Sequence, residues 1–508
     1  MTESEAASAP TPAASSPPAK GSRLRRALAV LALIPVGLGL WLVPAGNAGL
    51  PPCMVKTRAV EAPVDWQAVE AEATKTLAGL LAIPSINPPG NELPAAQYLA
   101  AILEREGIPH ELVETHPGRA LVAARIKGKS SEGALGLVNH IDVVPAAPKS
   151  WLAPDLPFSG RIIDGRIYGR GALDMKGFAV MQLMTLLLIK RHNIPLERDL
   201  VYLALPDEEG GGEAGAQWVV KNRPDLFKGV TAMWNEGGLG IRKMNGVERP
   251  VFGLMHAERG GLWIRLEATG PGGHGSTAPA GNAPDQLYQA VTRILSETDG
   301  LELTEITRRQ FAEMANATGA LPGFFLRRAD HPLVKPLLDP KFRKDRFLKA
   351  VTRNTRTLTV MHFGQKVNVV PPVAEARIDI RLLPGYEPET VLAGLRELCK
   401  DLSVTIEIIH AKAASQSPVG TPLFETIRST LNRLHPEAVV VPLLSPGGTD
   451  SAFFRPLGID CYGLIPALFE KEELTGFHGK DEHIRVSALR EGTRVTFEAT
   501  VNALQATR

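Results

Sequence analysis

Two hydrophobic rhythms divide this chain. In the first, apolar runs alternate with helical spacing. Trp66 to Leu81 carries Val69, Ala73, Leu77 and Leu80 at helical intervals, and Pro94 to Glu106 reads the same way. The loop AIPSINPPGNE (82–92), with three prolines, separates them. LVAARI (121–126), ALGLVNH (134–140), DLVYLALP (199–206) and GVTAMWN (229–235) predict strands, and Phe178–Lys190 and Ala214–Lys221 predict helices. Near-continuous apolar strands alternating with helices imply an α/β fold, a mostly parallel sheet with helices on both faces. The second rhythm begins near Glu258. GGLWIRLEATG, TRTLTVMHFG and VAEARIDIRLLP alternate with period two and predict half-exposed antiparallel strands, as SVTIEIIH predicts a further strand. Helices are predicted over Ala283–Leu295 and Glu387–Leu398. That pattern describes a two-layer α+β lid inserted into the first domain. After about Ala411 a helix over Pro422–Leu434 and further strands return to the first domain. No internal repeats occur.

The amino terminus departs from both rhythms. Residues 1–26 are mostly Ala, Ser, Pro and Thr and end on Arg23, Arg25 and Arg26. Such a segment buries too little apolar surface to offset its ordering entropy, so a disordered tail is expected. Ala27 to Ala45 then runs without a charge. About 19 residues at 1.5 Å each just cross a hydrocarbon core. With basic residues ahead of it, the segment reads as a transmembrane anchor with the body on the non-cytoplasmic side. A signal segment cleaved near Gly46-Asn47-Ala48, giving an exported protein, is the rival. The expected domains are therefore a catalytic domain over 60–257 and 411–508 and a lid or dimerisation domain over 258–410.

Composition narrows the partners. The 508 residues carry 56 basic and 54 acidic side chains, net +2, which does not call for a nucleic acid. Cys53, Cys399 and Cys461 are too scattered for a disulfide framework or a thiolate cluster. Residues 300–355, with Phe324-Phe325-Leu326 and a basic run from Lys341 to Lys349, read either as an acyl-chain or membrane contact or as a helical elaboration with a solvated face.

Five stretches carry the chemistry: GLVNHIDVVP (136–145), GRGALDMKG (169–177), LPDEEGG (205–211), WNEGG (234–238) and TGFHGKDEHI (475–484). His140, Asp207, Glu208 and Glu236 fall just past apolar strand runs, where such sheets bind ligands. In His140-x-Asp142 the imidazole can bind a cation through one nitrogen while Asp142 holds the other. Asp174 sits in a glycine-rich loop and has two oxygens, enough to bridge two ions. Of the adjacent Glu208 and Glu209, one can bind metal while the other faces substrate. Glu236 and His478 complete the set. Each residue alone has an ordinary reading as a core histidine, a solvated loop or a turn aspartate; their order and strand-end placement favour metal. Oxygen and imidazole ligands without thiolate suit two zinc ions, with cobalt and manganese as alternatives. A pair of cations about 3.5–4 Å apart lowers the pKa of a shared water and polarises a carbonyl.

These stretches resemble, in order over about 80–508, the zinc metallopeptidase family of glutamate carboxypeptidase, carboxypeptidase S, aminoacylase and succinyl-diaminopimelate desuccinylase. The apolar segment and the INPPGNE loop are most similar to the branch of carboxypeptidase S and the N-fatty-acyl amino acid hydrolases. The resemblance implies that His140, Asp174 and Glu236 hold one ion and that Asp174, Glu209 and His478 hold the other. It implies Glu208 as general base and a cis peptide after Asp174. It places His274, in GPGGHGSTAP, on a lid where it stabilises an oxyanion, often in a partner subunit's site, so a homodimer through the lid is one arrangement. It places Asn368 and Arg381 on a substrate carboxylate, which a planar guanidinium matches bidentately. The amides of Gly447, Gly448 and Thr449, in SPGGTDSAFF, would complete an anion nest. His483 departs from the family, where arginine or lysine more often follows the acidic pair. The implied reaction is hydrolysis of an amide next to a free carboxylate, in a small peptide or an N-acyl amino acid. A catalytically silent metal-binding scaffold or receptor would be expected to lose Glu208 before its ligands, and Glu208 is present. A serine hydrolase is disfavoured because no Gly-x-Ser-x-Gly elbow occurs.

Overall fold

The computed structural model describes residues 49–243, 246–297 and 299–505. The expected tail and apolar segment, 1–26 and 27–45, lie outside the described residues. Among the described residues no helix is long and apolar enough to cross a membrane.

The first rhythm builds a nine-stranded sheet. Its strands are β1 (His110–His116), β2 (Arg119–Ile126), β3 (Ser130–His140), β4 (Arg198–Leu205), β5 (Val230–Ile241), β6 (Val251–Glu258), β11 (Ser415–Gln416), β12 (Val439–Ser445) and β13 (Asp460–Phe469). The order is β1-β2-β4-β3-β5-β13-β6-β11, with β12 pairing β6. The centre is parallel: β3 pairs in parallel with β4 and β5, and β5 with β13. These strands are buried on both faces, which is why their sequences are continuously apolar instead of alternating. Helices α1 (Trp66–Leu81), α2 (Leu93–Arg105), α3 (Lys176–Arg191), α6 (Pro422–Leu434) and α7 (Val486–Gln505) cover the sheet. Asp65 caps α1, its carboxylate accepting the amides of Gln67 and Ala68. Helix α3 is buried from Lys176 to Ile189, so its apolar residues are not confined to one stripe. It packs against the sheet and alongside α7, which also lies on the sheet.

The second rhythm builds a separate four-stranded antiparallel sheet of β8 (Thr355–Phe363), β9 (Val373–Leu382), β7 (Gly260–Thr269) and β10 (Val404–Lys412), in that order. Along β7, Leu262, Ile264, Leu266 and Ala268 are buried and Trp263 is exposed. The buried set packs with Leu287, Ala290 and Ile294 of α4 (Ala283–Ser296) and Leu392 and Leu395 of α5 (Pro388–Leu398). Among the described residues the other face carries no helix layer of this kind.

Residues 305–351 form four short helices around their own small core, in which Phe311 and Phe342 meet edge to face at 5.5 Å. Two phenylalanines of this segment are therefore structural. Leu321, Leu333 and Leu337 stay exposed.

Candidate metal centre

Strand order delivers the central residues. Adjacent parallel strands β4 and β3 end side by side, with His140 opposite Leu205, and β5 runs past them after Leu137 pairs with Trp234. His140 therefore stands between Glu208 and Glu209, just past β4, and Glu236 on β5. Asp174 comes from the loop before α3, and its peptide bond to Met175 is cis, as the family resemblance implied. His478 comes from the loop after β13.

The side chains converge. His140 Nε2 lies 3.1 Å from Asp174 Oδ1 and 3.4 Å from Glu236 Oε1. His478 Nε2 lies 3.1 Å from Asp174 Oδ2 and 3.1 Å from Glu209 Oε1. Each oxygen of Asp174 thus faces a different imidazole. Single donor atoms of His140, Glu208 and Glu236, and of His140, Asp174 and Glu209, lie within 4.8 Å of one another. Glu208 and Glu209 differ: the Glu208 carboxyl makes no hydrogen bond or ion pair among the described residues, whereas that of Glu209 meets His478.

Charge is unbalanced here. Burial, then the Glu236 carboxylate, hold the Glu208 carboxyl well above its usual pKa. Burial, then Asp174, push Glu236 up to about 8. Hydrogen bonds to Asp174 and Glu209 raise His478 to about 10. Burial disfavours a charged His140, yet Glu236, Asp142 and Asp174 hold its pKa well above the ordinary value. Burial opposes ionisation of Asp174, but both imidazoles hold it below the usual range. Five carboxyl groups (Asp142, Asp174, Glu208, Glu209 and Glu236) face two imidazoles. Protons relieve the repulsion, and divalent cations would relieve it better. The donor set fits two such ions.

A ring of buried groups positions this centre. His140 Nδ1 lies 3.0 Å from the main-chain carbonyl of Asp142 and 3.4 Å from its Oδ1. Asp142 thus faces His140 through both its carbonyl and its carboxylate. The same carboxylate accepts the amides of Glu208 and Glu209 at 3.2 and 3.1 Å and the Asn87 side-chain amide at 2.8 Å, fixing the acidic turn. Asn87 also donates to Asp207, whose φ is +72°. Glu482, fully buried, accepts the amides of Leu173 and Asp174 and pairs with Arg170 at 2.6 Å. Buried Lys176 donates to the carbonyls of Leu80 and Ile83 at the end of α1, and burial lowers its pKa to about 7. Sequence reasoning gave no role to Asn87, Lys176 or Glu482. The only available signal was their proximity in the chain to the ligand motifs or, for Asn87, its place in the proline-rich loop. His483, the departure from the family, stacks on Tyr168 with ring centres 4.8 Å apart.

The expected substrate-side residues come from the lid strands and from the loop after β12. His274 is exposed on a two-residue strand paired with Val369–Val370, so Asn368 is its neighbour across the ribbon. Its Nδ1 lies 2.7 Å from Ser276 Oγ. Neither His274 nor Asn368 has a hydrogen bond or ion pair to the centre. Arg381, on β9, has its fork occupied: Nε and Nη2 donate to Asp379 at 2.9 and 3.1 Å. The expected nest of three amides is also corrected. Thr449 gives its amide and hydroxyl to Glu258, and Gly447 gives its amide to Ser445 Oγ, leaving Gly448. Glu258 is held in turn by buried Arg455 at 2.7 Å.

Comparison with known proteins agrees with this geometry. The model of peptidase family M20/M25/M40 matches residues 136–502. The N-fatty-acyl-amino acid synthase/hydrolase PM20D1 of Homo sapiens is 27% identical over 506 residues, covering 94% of this chain and 97% of that protein. Probable carboxypeptidase S-like 2 of Dictyostelium discoideum is 28% identical over 361 residues, 70% of this chain and 69% of that one. The crystal structure of the M20 family metallo-carboxypeptidase Sso-CP2 from Sulfolobus solfataricus superposes with a TM-score of 0.67 at 22% identity, covering 85% of this chain and 99% of its own.

Proposed function

Because this chain belongs to peptidase family M20/M25/M40, and is therefore a metal-dependent amidohydrolase, we propose that it hydrolyses an amide bond next to a free carboxylate. The observation that carries the proposal is the division of Asp174, one oxygen to His140 and the other to His478, with the partnerless Glu208 carboxyl beside them. In this reading His140, Asp174 and Glu236 would hold one zinc ion, and Asp174, Glu209 and His478 would hold the second. When bound, the ions supply Lewis acidity that acidifies water and polarises the scissile carbonyl.

The chain's own residues do the rest. Glu208 takes a proton from water and returns it to the leaving nitrogen, a transfer that commonly contributes about 10²–10⁴-fold. Its freedom from other partners suits a group that must accept and release a proton within one cycle. Asp142 holds the turn that aims Glu208, and Glu482 holds the loop that presents Asp174. Residues 258–410 act as the lid, on which Arg381, Asn368 and His274 meet the substrate. The similarity to a protein named as an N-fatty-acyl-amino acid synthase/hydrolase favours N-acyl amino acids over peptides. Residues 27–45 serve as anchor or signal.

The test is Glu208→Gln in zinc-loaded protein, assayed on a dipeptide and an N-acyl amino acid. Hydrolysis should fall by about 10²–10⁴-fold with the metal content unchanged. A variant turning over at the parent rate would refute the assignment.

A further inference from the structure

The open face of the second sheet carries a cation that the reaction described so far leaves unused. Gly261 of β7 stands opposite Arg381 on β9 and opposite Lys412 on β10. Directly paired residues point to the same side of a sheet, so the two cations flank the glycine on one rung. Neighbouring strands are about 4.8 Å apart, which puts the backbones of Lys412 and Arg381 roughly 10 Å apart. Both side chains can lean over the space between. That space is open: a Cβ placed on Gly261 would meet nothing within 4 Å. The next rung is His410–Trp263–Asp379, with the imidazole and indole centres 5.0 Å apart.

A bulge creates this arrangement. The pairing of β10 slips between Ile408 and His410. Regular pairing onward from Ile408 would set Ile409 beside Trp263 and Ala411 beside Gly261, turning Lys412 to the helix-covered side. The extra residue returns His410 and Lys412 to the open face, a recurrent use of bulges near functional sites.

The two cations are not equivalent. Arg381 is neutralised by Asp379. Lys412 makes no ion pair or hydrogen bond through its ammonium among the described residues. Its Nζ sits 4.8 Å from the centre of the Phe453 ring and 3.6 Å from where a Cβ on Gly448 would stand. The ammonium therefore borders the loop that keeps the unspent Gly448 amide. That loop leads to the metal centre: two residues on from Thr449, the Ser451 hydroxyl accepts the side-chain amide of Asn235, next to Glu236, at 3.2 Å.

We infer that Lys412 is the uncompensated charge that binds the substrate's carboxylate, in a cradle whose floor is Gly261 and whose walls are Arg381 and the Gly448 loop. This rests on the reading of the substrate as an amide next to a free carboxylate. Trp263 and His410 form the apolar wall beside the cradle.

The test compares zinc-loaded parent protein with Lys412→Met, Lys412→Arg and Gly261→Val on N-dodecanoyl-glycine and its carboxamide, N-dodecanoyl-glycinamide. The parent should favour the carboxylate. Lys412→Met should reduce that preference by about 10- to 100-fold, through KM more than kcat, as expected for loss of a charge-assisted contact. Lys412→Arg should keep most of it. Gly261→Val, a β-branched residue added to a strand with room for it, should raise KM for the carboxylate without lowering the thermal midpoint. An unchanged preference in Lys412→Met, in folded protein, overturns the inference and leaves the proposed reaction standing. A parent that hydrolyses both substrates equally sinks the carboxylate reading itself.

Discussion

The two sheets present chemistry in different places. The first is covered on both faces, so its polar chemistry gathers mainly where strands end; His140, Glu208 and Glu209 stand there, with Glu236 on the neighbouring β5. The second is covered on one face, so every other residue along β7, β9 and β10 is available, and Arg381, Trp263 and Lys412 come from mid-strand or the last rung. A strand end converts neighbouring strands into a converging cluster. An open face converts register into a row. The first suits a compact group of ligands, the second a platform for an extended substrate.

The contrast can be broken at several points. The largest effect is expected at the strand ends. Chelation should abolish hydrolysis and lower the unfolding temperature, because the buried carboxylates lose compensation and the folded state loses a ligand. Titrating zinc, cobalt or manganese back, with scanning calorimetry and turnover followed together, should restore both; an unchanged melting temperature would argue that no ion is held there.

Next comes the buried support. Glu482→Gln keeps the shape but weakens acceptance from Leu173 and Asp174 and leaves Arg170 without its carboxylate. Zinc affinity or activity should drop about 10–100-fold. Equilibrium dialysis against zinc measures this, and parent-like affinity would remove Glu482 from the supporting role.

Within one strand of the second sheet, adjacent residues should separate stability from function. Ile264→Ala, on the helix-covered face and fully buried, should cost about 2–5 kcal/mol in denaturant unfolding. Trp263→Ala, 41% exposed on the open face, should leave stability nearly intact and raise KM several-fold. Equal stability losses would mean that the open face is covered after all.

The smallest effect is expected further along that face. Arg265 pairs with Glu375, Glu267 and Glu407 in a partly exposed network. Arg265→Ala should change stability by no more than about 1 kcal/mol and leave KM alone. A rise in KM would extend the substrate platform beyond the Trp263 rung.

Much of the scaffold was legible in the chain. The α1 and α6 helices fall on the predicted residues, and β2, β3, β4 and β9 within a few. Strands β1 and β6 were not read. HELVETH alternates charged with apolar residues at an exposed edge, and VFGLMHAE mixes glycine and histidine into a buried run, so neither gives a clean period. The convergence of His140, Glu208, Glu209 and Glu236 was legible because these residues stand at or past strongly apolar strands. Residue type alone left Glu208 and Glu209 open, since adjacent acids have the same local context, and the division between them came from the family resemblance; in the structure His478, 269 residues away, meets Glu209. The pairing of Arg381 with Asp379 was within reach, since residues two apart on a strand share a face.

The sequence alone determined which faces are apolar, where strands end, and which donor types stand at those ends, because these depend on spacing within a single element. Tertiary structure decided which donors meet and which are already taken. Asp142 shares its carboxylate between His140 and the Glu208–Glu209 turn, Thr449 spends its amide on Glu258, and a one-residue slip in β10 turns Lys412 to the open face. Each outcome depends on strand order and register between remote segments, and a hydrogen bond made across that distance withdraws a group from chemistry that its local sequence would have allowed.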